Sequence, residues 1–144
     1  MKQYRFYGWE TADVLPADPA WERVGNPRQL YDLLTECWCP DTCTPRMREG
    51  WTRENQTRGQ CAVTAFLVQD IYGGTVRGIQ MLDGSFHCFN LVGDCLFDLT
   101  SEQFGERKLD YAHTKEQLRE VHFAKSEKEQ RYELLKSKLQ DLIR

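Results

Sequence analysis

Apolar residues recur at helical spacing in Leu30, Leu33, Leu34, Cys37 and Trp38, directly after Asn26 and Pro27. Asparagine is a good N-cap and proline fits the first helical position, so this stretch predicts a first helix that ends before Pro40. The next apolar run has no polar side: Cys61, Ala62, Val63, Ala65, Phe66, Leu67, Val68 and Ile71 point in nearly every direction. That pattern predicts a buried central helix, closed by Gly73 and Gly74. Three strands are predicted next, over 75–82, 85–92 and 95–100. Asp83-Gly84 and Gly93-Asp94 separate them as two-residue turns of an antiparallel meander. Thr114 with Gln117 and Ser126 with Glu129 have capping-box spacing. They predict a short helix around Leu118, Val121 and His122, then a longer one with the stripe Leu134, Leu135, Leu139, Leu142 and Ile143. Residues 1–25, with Trp9, Pro16, Pro19 and Trp21, read as an irregular arm on the core. Residues 40–60, with Pro45, Gly50 and Gly59, read as a long loop pinned by Trp51, and such loops often serve binding. The fold class expected is α+β: a buried helix packed on a small meander, with C-terminal helices over 114–144.

At 144 residues the chain has the size of one domain able to bury its own core. A net charge of −3 argues against a nucleic-acid or anionic-membrane surface and favours a peptide or small amide as partner. There is no apolar run of membrane-spanning length and no apolar segment after Met1 of the kind a signal peptide needs, so the expectation is a cytoplasmic protein. In reducing cytosol the six cysteines are expected as free thiols. Cys37, Cys39 and Cys43 suggest zinc, but the spacing is not the paired C-x2-C of structural sites. A fourth ligand would have to come from elsewhere, such as Cys61 or Cys88, and no metal or cofactor is expected.

The chemistry gathers elsewhere. Cys61 opens the buried helix after Gly59 and Gln60, where unpaired N–H groups and the positive dipole end favour thiolate. Gly59 would leave room for a substrate backbone. With both turns two residues long, Thr100 lies opposite His87 and Asp98 opposite Phe89. His87 and Asp98 are then diagonal neighbours on one face, roughly 7–8 Å apart at the backbone and able to hydrogen-bond. Asn90 falls on the other face. A histidine held by a buried carboxylate is a suitable base for a thiol, provided that His87 faces the helix carrying Cys61. Each residue also has a plainer reading: Cys61 as a small core residue, His87 as a structural histidine, Asp98 as a cap on the following turn.

The run GQCAVTAFLVQDIYGG, the HCFN of the second strand and the DLTSEQF after the third resemble the YunG-like family of small bacterial proteins. More broadly, a buried helix opening on cysteine, followed by a meander with histidine and an acid, resembles the papain-like superfamily, which includes transglutaminase-like and NlpC/P60-type enzymes. The resemblance covers about residues 51–104 and implies a papain-like core with Cys61 as nucleophile, His87 as base and Asp98 as the orienting residue. Asn55, Gln56 and Gln60 all remain candidates for the oxyanion donor. The implied activity is that of a cysteine peptidase or amidase. The alternative is a catalytically silent domain that binds a peptide or protein partner through the same groove.

Overall fold

The central helix forms because its residues can be satisfied only by burial on all sides. In the computed structural model, which describes residues 2–144, α2 (Cys61–Tyr72) buries Val63 through Val68, Ile71 and Tyr72 and ends at Gly73, whose φ of 81° is left-handed. Its polar members find partners inside, as when the Trp38 indole donates to Thr64 Oγ1 at 2.9 Å. Each such Phe or Leu contributes about 1.5–3 kcal/mol, which makes α2 the axis of the core.

Against α2 lies an antiparallel sheet of four strands: β1 (Thr75–Gln80), β2 (Phe86–Val92), β3 (Cys95–Phe97) and β4 (Lys115–Gln117), in the order β3-β2-β1-β4. Val76 pairs with Asn90 and Asn90 with Phe97, so these three share a face with Cys88. That face meets α2, where Asn90 Nδ2 donates to Ala65 O at 2.9 Å. Ile79, His87 and Phe89 occupy the other face, covered by Phe104 and Tyr111.

Around this pair stand α1 (Pro27–Leu34), α3 (Arg119–His122) and α4 (Ser126–Ile143). The predicted cap of α1 is present as a full capping box between Asn26 and Gln29. α4 buries Tyr132, Leu135 and Leu139, while Leu142 of the predicted stripe is exposed. Arg119 ties α3 to α2 through Asp70 (2.7 Å), Gln69 (3.1 Å) and Phe66 O (3.0 Å).

Several expectations need correction. α1 stops at Leu34, and Cys37 and Trp38 are buried from a turn beyond it. The first hairpin is longer than predicted: Met81 N donates to Ser85 O, leaving Leu82, Asp83 and Gly84 in the loop, with Gly84 at φ 88°. The second follows the predicted register, Val92 opposite Cys95. β3 ends at Phe97, and Asp98 instead bridges to Tyr7 in the N-terminal arm. Thr114 to Gln117 does not cap a helix. Lys115–Gln117 is the edge strand β4, and its three polar residues, none of them buried, give no period to read. Ser126 is the first residue of α4 rather than its cap, a place taken by Lys125 without a side-chain bond. The predicted arm 1–25 is less irregular than expected over its described residues 2–25, with 3-10 turns at Trp9–Thr11 and Pro19–Val24 and with Phe6, Trp21 and Val24 in the core. The 40–60 stretch likewise holds 3-10 turns at Pro40–Thr42 and Pro45–Gly50. Among the described residues no helix is long and apolar enough to cross a membrane.

Candidate functional site

β3 is shorter than β2, so one edge of β2 is open beside residues 86–88. The first residue of α2 fills that gap. Cys61 Sγ lies 3.9 Å from Phe86 O and also takes hydrogen bonds from the backbone and side chain of Cys88. The sequence reading required His87 to face the helix carrying Cys61, and the structure corrects this: His87 lies on the opposite face of the sheet from the one that packs on α2. Alternation turns Cys88 and Asn90, not His87, toward the body of α2. Cys61 and His87 nonetheless line one cavity and perturb each other's titration, because the sulfur sits at the strand edge beside Phe86 O.

His87 and Asp98 pair as the register predicts. Nε2 of His87 and Oδ2 of Asp98 are 2.6 Å apart, with both side chains almost fully enclosed. Asp98 is further held by Tyr111 OH at 2.7 Å and by Thr100 N at 3.2 Å. Its own backbone N–H donates to Tyr7 O at 2.9 Å. The N-terminal arm, which suggests no chemistry by sequence, therefore fixes the carboxylate; Gly8 lets it approach, since a Cβ there would lie 2.2 Å from Leu96 O. Phe104 packs edge-on against the imidazole at 4.7 Å between centroids. The other ring nitrogen, Nδ1, is buried and makes no hydrogen bond, while Cys61 stands near enough to perturb the ring's titration.

These contacts set the protonation states. The hydrogen bond from Cys88 holds the Cys61 thiol well below its ordinary range; burial opposes this, and His87 adds to it. The same contact pushes Cys88 well above its ordinary value. Burial alone would lower His87, but Asp98 and Cys61 together overcome it and push the imidazole up to about 10. Both shifts favour the thiolate and imidazolium form of the pair over the neutral one. Cys61 and His87 open onto one cavity of about 630 Å³, walled by Gln103, Phe104, His122 and Lys128 among others.

Of the oxyanion candidates, only Gly59 lines this cavity, and its open side is filled: a Cβ there would lie 2.4 Å from Cys43 Sγ. Gln60 is fully buried, its amide donating to Cys39 O at 3.1 Å. Asn55 belongs to the Thr52 turn, and the Gln56 carbonyl accepts the Trp51 indole N–H at 2.9 Å. Gln103, which sequence reasoning missed, is better placed. Its Oε1 accepts Gly59 N–H (3.2 Å) and its Nε2 donates one proton to Thr100 O (3.0 Å), leaving a second proton at the cavity wall. Its position in DLTSEQF, just after Asp98, was the available signal. Cys88 carried none, because alternation assigns it to the core. Cys37 and Cys43 are buried, Cys37 raised by burial to about 11. Among the described residues no cluster of His, Cys, Asp and Glu is arranged to hold a metal ion.

The YunG protein family matches residues 26–144, which include every residue of this site except the arm that braces Asp98. The chain belongs to the YunG family. It is 41% identical over 63 residues to the uncharacterized protein YunG of Bacillus subtilis (strain 168), a stretch covering 44% of this chain and 53% of that protein. The chain thus spans about half the length of that relative. No solved structure matches it.

Proposed function

We propose that this YunG family member is a thiol-dependent acyl-transfer hydrolase of papain-like type, a small peptidase or amidase. The observation that carries the reading is the buried His87–Asp98 pair, whose remaining ring nitrogen is free of other partners and shares a cavity with a thiol held low. In this mechanism Cys61 Sγ attacks a substrate carbonyl and forms a C–S bond. The tetrahedral oxyanion is received by the Cys61 backbone N–H at the helix start and by the spare proton of Gln103 Nε2. His87 Nδ1 gives its proton to the leaving amine as the C–N bond breaks. A water, deprotonated by the same nitrogen, then attacks the thioester, the C–S bond breaks, the acid product leaves and the thiolate and imidazolium are restored. Asp98 keeps the imidazole in the tautomer and orientation this exchange requires.

The test is a rapid-mixing assay with p-nitrophenyl acetate, an activated acyl donor. The reading predicts a burst of about one nitrophenolate per chain, an acetyl group on Cys61 by peptide mass spectrometry, and loss of both in Cys61→Ala. An acetyl group found on other residues only, with no burst above the Cys61→Ala level, would leave the silent binding domain as the better account.

A further inference from the structure

Resting on the acyl-transfer reading of Cys61, the walls of the same cavity point to a class of substrate. The chain is acidic overall, yet this cavity gathers Arg46, Lys125, Lys128 and Arg131 around the thiol. The acids among its walls are already engaged: Asp83 pairs with Arg46 at 3.4 Å, and Glu127 with Arg131. Lys125 and Lys128 have no carboxylate partner among the described residues.

Lys128 is the informative one. It is half-buried, and its Nζ donates to His122 Nδ1 at 2.9 Å. The other nitrogen of His122 donates to Gln117 Oε1 at 2.8 Å, so that imidazole is neutral; burial, with Lys128 beside it, brings it down to about 4. Burial also lowers Lys128 itself, although the thiols of Cys88 and Cys61 partly offset this. In addition, Lys128 stands in the first turn of α4, where the helix dipole disfavours a cation. A half-buried lysine with no carboxylate partner at this end of a helix is costly to hold there. Its position makes sense if an anion completes it.

We propose that the cavity binds an acyl substrate bearing a carboxylate, which Lys128 receives while the scissile carbonyl rests on Cys61. Lys125, exposed at the rim, adds to the attraction.

Iodoacetate and iodoacetamide test this, being nearly equal in size and differing in charge. The rate of Cys61 alkylation by each is measured by peptide mass spectrometry and divided by the rate for the same cysteine in the urea-unfolded chain. The normalised acetate-to-acetamide ratio is expected to fall roughly fivefold in Lys128→Met, the upper end for an ion pair in contact with solvent, and to be kept in Lys128→Arg. An unchanged ratio in folded Lys128→Met overturns the proposal. If that variant does not fold, the unaltered chain decides: glutarate should protect Cys61 from iodoacetamide where glutaramide does not, and equal protection, or none, overturns it. Native Cys61 reacting no faster than the unfolded cysteine with either reagent refutes the acyl-transfer reading as well, so the two failures are distinguishable.

Discussion

Replacing Asp98 by asparagine changes almost no volume and removes one buried charge, so its effects report on the His87 pair. In the native chain the carboxylate accepts from His87 Nε2 at 2.6 Å and from Tyr111 OH at 2.7 Å. An asparagine that keeps its oxygen on Thr100 N, in the place of Oδ1, puts its NH2 in the place of Oδ2, toward both Tyr111 OH and His87 Nε2. That nitrogen must then accept, which places the ring proton on Nδ1, where it can no longer take one from Cys61. His87, now near 10, should fall to its ordinary value or below, because burial remains and the carboxylate does not. The sign follows from linkage. A folded-state value raised above the unfolded one gives stability that is full below about pH 6.5 and disappears as pH rises through about 10. Asp98→Asn should therefore cost about 3–5 kcal/mol near pH 6, the range for breaking a buried pair, and only about 1 kcal/mol near pH 9.5. Urea denaturation of both proteins at the two pH values measures this, and 15N spectra of the ring show its protonation directly. A loss of stability that is the same at both values, with His87 still doubly protonated at neutral pH in the variant, would refute the reasoning.

Cys88→Ala removes the thiol that donates to Cys61, so the pH midpoint of Cys61 alkylation should rise, whereas Cys88→Ser keeps a donor and should hold it lower; equal midpoints in the two variants would contradict the contact. Gly59→Ala adds a Cβ 2.4 Å from Cys43 Sγ at a φ of +70° and should cost about 1–3 kcal/mol by thermal unfolding. Adding Cys43→Ala should recover only part of that, since the strain in φ remains, and a full recovery would show that sterics alone mattered. Arg119→Met cuts the bonds to Asp70, Gln69 and Phe66 O and should destabilise by about 1–3 kcal/mol in urea, discounted for the partial exposure of the ion pair. No loss would mean that the α2–α3 tie is dispensable.

What could be read from the chain in advance divides along physical lines. α2 was legible because an all-round apolar run has only one use in a domain of this size. The second hairpin was legible because Gly93-Asp94 sets the register, and the His87–Asp98 pair came with it. The first hairpin was misjudged because Asp83-Gly84 also suits the longer loop that takes in Leu82. The position of Cys61 could not be read, since it depends on where β3 stops, and the bridge from Tyr7 to Asp98 that ends it comes from the far end of the sequence. For the same reason Cys88, Tyr111 and Lys128 were out of reach. Each acts through a tertiary contact that leaves no local pattern, and Tyr111 and Lys128 come from segments that otherwise read as a connection and a solvated helix face.

The central claim is that His87 and Asp98 act on Cys61 as one unit, and the alkylation of individual thiols tests it most directly. Iodoacetamide labelling of the native chain between about pH 5 and 9, resolved by peptide for each cysteine, should show Cys61 reacting fastest with a midpoint below neutrality, and His87→Ala should move that midpoint up toward the free-thiol value of about 8.5. Cys61 labelling no faster than Cys39 or Cys95, at a midpoint that His87→Ala leaves in place, would contradict the account.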